Sequence, residues 1–85
     1  MEALSTTGTY TIADNVIRGL PGGGCHMYIT ATTATSVDFS NDPTMASAKN
    51  SVPATDPVFS VAGSNISAGF MRVNGGSAIV RTTKR

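Results

Sequence analysis

Apolar and polar residues alternate over several short stretches of this chain, as they do in β-strands that bury one face. The longest stretch runs from Cys25 to Ala34, with Met27 and Ile29 on the apolar face and His26 on the polar face. Turn-forming residues separate the stretches at intervals of roughly 8–12 residues. The pattern predicts an all-β fold, a small antiparallel β-sandwich or barrel of about six to seven short strands with a C-terminal hairpin. The other stretches are 8–13, 16–18, 36–40, 58–61, 70–73 and 77–82.

The C-terminal hairpin is predicted from the last two stretches, which flank an Asn-Gly-Gly sequence at residues 74–76. Asparagine and glycine tolerate the positive φ that a tight hairpin turn requires. If the two glycines form the turn, Val73 faces Ala78 and Met71 faces Val80. We favour this register because it places four apolar side chains on one face.

A turn at the asparagine and the first glycine is the alternative register, and it would pair Phe70 with Ile79. Either register leaves Arg72 and Arg81 on the opposite face of the hairpin, and the favoured one leaves Arg72 in water. With the basic C-terminal residues, the two arginines would form a basic strip that can pair with an acidic patch on a partner.

The inward positions of the strands predict a small core, and Cys25 belongs to its apolar face. Two aspartates lie in or just after the stretch 36–40. Asp38 is expected to point outward and be solvated. Asp42 is expected to cap a turn. The predicted core residues are Met27, Ile29, Val37, Phe39, Phe59, Val61, Met71, Val73 and Val80.

Residues 1–85 are expected to form a single domain. Two of its segments show no β pattern, an N-terminal arm over residues 1–7 and a long surface loop over residues 44–56. We predict that both segments bind a partner, because their apolar residues have no evident place in the core. These residues are Leu4, Met45 and Val52.

Length and composition favour self-association. A chain of 85 residues buries a small core, and this one is only 6% aromatic and has no tryptophan. A single cysteine excludes an internal disulfide, so oligomerisation is the remaining means of stabilisation. Charged residues make up 13% of the chain, against a typical share of about 25%, which suits a surface covered by copies or by a partner. We expect a homo-oligomer and favour a trimer.

The sequence offers little for catalysis or metal binding. Cys25 and His26 are too few for a structural zinc site, and on a strand they point to opposite faces. The glycines before them lack the lysine of a phosphate-binding loop, and no nucleophile elbow is present. We therefore expect no enzymatic activity, no cofactor and no metal. The near-neutral charge argues against direct nucleic-acid binding, and no apolar run is long enough to cross a membrane.

Two motifs resemble those of the small β-sandwich structural proteins of tailed bacteriophages. Residues 36–42 (Ser-Val-Asp-Phe-Ser-Asn-Asp) are similar to the strand that precedes a variable loop in that family. Residues 70–82, which begin Phe-Met-Arg-Val, are similar to the strand that leads to its closing hairpin and to that hairpin. Pro43 follows the first motif, where such domains often have two glycines and a tryptophan.

The resemblance implies a non-enzymatic virion protein, most directly a capsid decoration (cement) protein that binds the major capsid protein. A phage tail or head–tail accessory protein is the alternative, as is a small glycan-binding β domain. The expected location is the virion, after synthesis in the host cytoplasm, since no signal peptide is evident. The candidate partner-binding residues are Leu4, Met45, Val52, Arg72 and Arg81.

Overall fold

Eight β-strands form the part of the chain that the structure describes. The structure is a computed structural model, and it describes residues 3–21, 23–47, 50–54, 58–61 and 69–85, with only the backbone for 58–61. The strands are β1 (Gly8–Ile12), β2 (Ile17–Gly19), β3 (Cys25–Thr32), β4 (Ser36–Ser40), β5 (Asn50–Pro53), β6 (Val58–Val61), β7 (Phe70–Asn74) and β8 (Ala78–Lys84).

The strands form two four-stranded antiparallel sheets, in the orders β1-β8-β3-β6 and β2-β7-β4-β5. The two sheets enclose one core, so the molecule is a small β-sandwich, and the predicted all-β fold is confirmed. The described residues include no helix that could span a membrane.

Consecutive strands lie in different sheets, except for β4 and β5, which pair with each other. β1, β3 and β8 lie in one sheet, while β2, β4 and β7, which adjoin them in sequence, lie in the other. Backbone hydrogen bonds continue across the corner, from Thr33 N to Ser77 O at 2.9 Å and from Thr35 N to Asn74 O at 2.9 Å. The two sheets are therefore joined at this corner, like one antiparallel sheet folded over.

The predicted C-terminal hairpin is wrong. β7 pairs with β2 and β4, whereas β8 pairs with β1 and β3, so neither proposed register between β7 and β8 exists. Gly75 has a φ of 83°, and a Cβ on Gly76 would lie 2.6 Å from the carbonyl oxygen of Thr33. The two glycines lie at a corner where the chain passes close to Thr33. The positive φ and the lack of space for a Cβ require glycine there, as a tight turn does.

The core holds most of the predicted residues. The six predicted residues at or below 2% exposure are Met27, Val37, Phe39, Met71, Val73 and Val80. Ile29 is only half-buried against them, and the side chains of Phe59 and Val61 lie outside the described part of the chain. Buried Cys25 belongs to the core as predicted. Residues that complete it, and that were not predicted, are Leu4, Ile12, Leu20, Ala54 and Ala78.

The segments interpreted as free arm and free loop belong to the fold. Leu4 is 3% exposed, and its backbone N–H donates to the carbonyl of Gly19 at 2.8 Å beside a parallel bridge from Ala3. Met45 is 2% exposed, and β5 lies within the predicted loop and pairs with β4. The premise that these segments have no place in the domain is therefore wrong for the parts that the structure describes.

Candidate docking surface

The outer face of the β1-β8-β3-β6 sheet presents exposed side chains in rows across the strands. β8 alternates between buried and exposed residues from Ala78 to Thr82, with Val80 buried between exposed Ile79 and Arg81. Strand register places Thr9, Arg81 and Tyr28 in one row, and Thr11 beside Ile79 in the next. We call these five residues the Arg81 face. It combines hydroxyl, apolar and cationic groups on a surface built by three neighbouring strands.

Arg81 is held in place on this face by an aromatic ring. Its guanidinium carbon lies 5.2 Å from the centroid of the Tyr28 ring, which is the geometry of a cation–π contact. Such contacts contribute about 0.5–1 kcal/mol at exposed sites. Among the described residues, no carboxylate forms an ion pair with Arg81.

Ile79 supplies the apolar part of the face. It is 37% exposed and lies on β8, one of the two inner strands of its sheet. A shallow groove of about 290 Å³ adjoins it at the corner of the folded sheet. The groove is lined by Thr32, Thr33, Ser77, Ala78 and Ile79.

The threonines of the groove take part in the fold. The hydroxyl of Thr33 accepts a hydrogen bond from the N–H of Ser77 at 3.1 Å, and that of Thr32 accepts from the N–H of Ala34 at 2.9 Å. Both therefore stabilise the corner, and the exposed apolar side chain at the groove is that of Ile79.

Arg72 occupies the opposite outer face of the sandwich, because β7 belongs to the other sheet. Its Nη2 donates to Asp38 Oδ2 at 2.9 Å, and the hydroxyl of Ser51 donates to the other carboxylate oxygen. The side chains of Arg72 and Asp38 are 22% and 4% exposed, and Arg72 Nε is buried without a hydrogen-bond partner. The predictions of a solvated Asp38 and of an Arg72 left in water are therefore wrong.

Hydrogen bonding keeps Asp38 ionised inside this cluster. Burial alone would raise its pKa, but hydrogen bonds from Ser51, Asn74 and Arg72, together with the charge of Arg72, bring the pKa below its usual value. The guanidinium of Arg72 is thus committed to an internal ion pair. The predicted basic strip does not form, since Arg72 and Arg81 face away from each other on different sheets.

Asp42 caps a turn, as predicted. Its carboxylate accepts hydrogen bonds from the N–H and hydroxyl of Thr44 and from the N–H groups of Ala46 and Ser47, at 2.8–3.1 Å. The bonds from Thr44, with a smaller contribution from Ser47, lower the pKa of Asp42 to about 2. This turn places Met45 in the interior with a φ of 59°. Asp42 is therefore a structural residue.

The five candidate partner-binding residues do not form one site. Leu4 and Met45 are buried, Val52 is half-buried against the core, and Arg72 is paired on the far sheet. Of the five, only Arg81 is fully exposed. Sequence reasoning missed its neighbours, although alternation along β8 already places Ile79 on the same side as Arg81.

Among the described residues, no group of three or more histidine, cysteine, aspartate or glutamate side chains could hold a metal ion. Comparison of the chain with protein-family models, with curated proteins and with solved structures gives no match. The Arg81 face is therefore interpreted from its own chemistry.

Proposed function

We propose that this chain is a non-enzymatic virion structural protein, a capsid decoration protein that binds the major capsid protein through the Arg81 face. The observation that carries the proposal is the pairing of an exposed Ile79 with an Arg81 guanidinium oriented by Tyr28. An apolar centre beside an oriented arginine is the composition of an interface core. The phage resemblance of the two sequence motifs supports the virion as the setting.

The partner surface should be acidic beside an apolar patch. The carboxylates that the structure describes lie away from this face: Asp38 pairs with Arg72, Asp42 caps its turn, and Asp14 accepts a hydrogen bond from the N–H of Gly75 at 2.9 Å. Arg81 therefore has no acidic neighbour among the described residues of its own face. A carboxylate on the shell protein would complement it and set the orientation of binding.

The experiment measures retention on shells that lack this protein. Parent and variants are incubated with such shells, and bound protein is separated by sedimentation at low and high salt. Arg81→Glu should lose binding, because like charges facing each other at an interface cost several kcal/mol. Ile79→Asp should lose it as well, by placing a charge in the apolar centre. Binding of the parent should weaken with salt, since exposed charges are screened.

Lys84→Glu is the matched control. Lys84 is exposed at the end of the same strand, and its replacement by glutamate changes the charge by the same amount as Arg81→Glu. Lys84 pairs with Cys25, which places it off the Arg81 face. If Arg81→Glu is retained as well as Lys84→Glu, the Arg81 face is not the docking surface. Electron microscopy of saturated particles locates the protein, and density on the tail in place of the shell would favour the tail accessory role.

A further inference from the structure

In the described part of the chain, the outer edge of β1 has none of the protecting features found at the edges formed by β2 and β5. β1 is the end strand of its sheet, and its sequence Gly-Thr-Tyr-Thr-Ile contains no charge and no proline. It pairs along its whole length with β8, without a bulge. An unprotected edge strand of this kind offers a row of backbone donors and acceptors to another strand.

Two other edges have features that hinder pairing with another strand. At β2, the bridge from Ala3 to Gly19 and the bond from Leu4 N to Gly19 O cover the edge. β5 ends in Pro53, which has no backbone N–H to donate. β6, at the far end of the same sheet as β1, is only four residues long. The edge that is longest and bare in the described residues is therefore β1.

We propose that β1 pairs antiparallel with β1 of a second copy about a two-fold axis at Tyr10. The strand is complementary to itself in this arrangement. Thr9 of each copy faces Thr11 of the other, and threonine pairs are favourable across antiparallel strands. Gly8 faces Ile12, so a residue without a side chain lies opposite a bulky one.

The pairing joins the β1-β8-β3-β6 sheets of two copies into one continuous eight-stranded sheet. A two-fold interface closes at two copies, which gives a dimer in place of the trimer expected from composition. Both Arg81 faces then lie on the same side of the joined sheet, since the outer threonines of the two β1 strands face each other. The edge shares Thr9 and Thr11 with the Arg81 face, but the pairing of the two β1 strands does not depend on what that face binds.

Two double variants test the register directly. Thr9→Lys with Thr11→Lys places like charges opposite each other twice across the two-fold axis, which disfavours pairing. Thr9→Lys with Thr11→Glu places opposite charges at the same two positions. Sedimentation of the full chain over a concentration series should give a dimer for the parent and for the mixed-charge variant. The dilysine variant should have a dissociation constant at least about tenfold higher.

Ile79→Asp serves as the control, because it alters the centre of the sheet and should leave the dimer intact. Circular dichroism checks that each variant is folded. A monomeric parent overturns the proposal, as do two double variants that behave alike. Assemblies larger than a dimer, which pairing of β1 with β6 of the next copy would produce, overturn it too.

Discussion

Replacement of Arg72 by methionine tests whether the ion pair with Asp38 is part of the fold. The change removes the guanidinium and keeps an unbranched apolar side chain of similar reach. It leaves the carboxylate of Asp38, 4% exposed, with hydrogen bonds from Ser51 and Asn74 but no opposing charge. We expect a clear loss of stability.

The magnitude follows from the burial of the two partners. Removing one partner of a fully buried ion pair costs about 3–5 kcal/mol. Arg72 is 22% exposed, so its ion pair is only partly buried. Its buried Nε makes no hydrogen bond to the described residues, so the substitution breaks no further bond at that atom. We therefore expect about 2–3 kcal/mol, and about 10–20 °C in melting temperature for a domain of this size.

Thermal unfolding followed by circular dichroism at neutral pH measures the effect, and a double variant supplies the control. Asp38→Leu with Arg72→Met removes both charges, so it should recover much of the loss caused by Arg72→Met alone. If Arg72→Met melts within a degree or two of the parent, the pair does not stabilise the fold. A double variant less stable than the sum of the two single variants would also refute the reasoning.

Three further predictions concern the fold. Phe39→Ala should cost on the order of 3–5 kcal/mol, because the ring is 2% exposed; denaturant unfolding measures this, and a cost below about 1 kcal/mol would contradict it. Gly76→Ala should cost about 1–3 kcal/mol through its clash with Thr33, while Gly69→Ala should be mild, and equal melting temperatures would argue against a crowded corner. The ion pair of Asp38 should stabilise the fold above about pH 4 and lose its effect as pH falls through the lowered pKa of Asp38; a stability–pH profile unchanged by Arg72→Met would oppose this.

The alternation of apolar and polar residues was sufficient to predict the strands that have one face toward the core and the other toward the exterior. β7 alternates between core and exterior, and buried residues such as Met71 and Val73 follow directly from that period. β4 was predicted in the same way, but its outward-facing Asp38 is buried as well. β5 escaped prediction because Asn50, Ser51 and Pro53 are all exposed, and a short edge strand with one half-buried valine leaves no alternating signal.

The corner at Gly75 and Gly76 shows why pairing is harder to predict than strands. Both a hairpin turn and a crossing of strands require glycine, so the local sequence favours the two equally. Which occurs depends on contacts with β1 and β3, distant in the chain. This error also affected the candidate site. In the predicted hairpin, Arg72 and Arg81 would share one face. In the structure, the corner separates their strands, and the two residues lie on opposite outer faces of the sandwich.

The position of β8 between β1 and β3 constrains how the chain folds. Ile12 lies beside Ala78, so neither half of the folded sheet can close until β7 and β8 have left the ribosome. Contacts between residues so far apart in sequence form slowly, because a long loop must be ordered first. Because each sheet combines strands from early and late in the described chain, folding should occur as one cooperative step without a stable half-folded sheet.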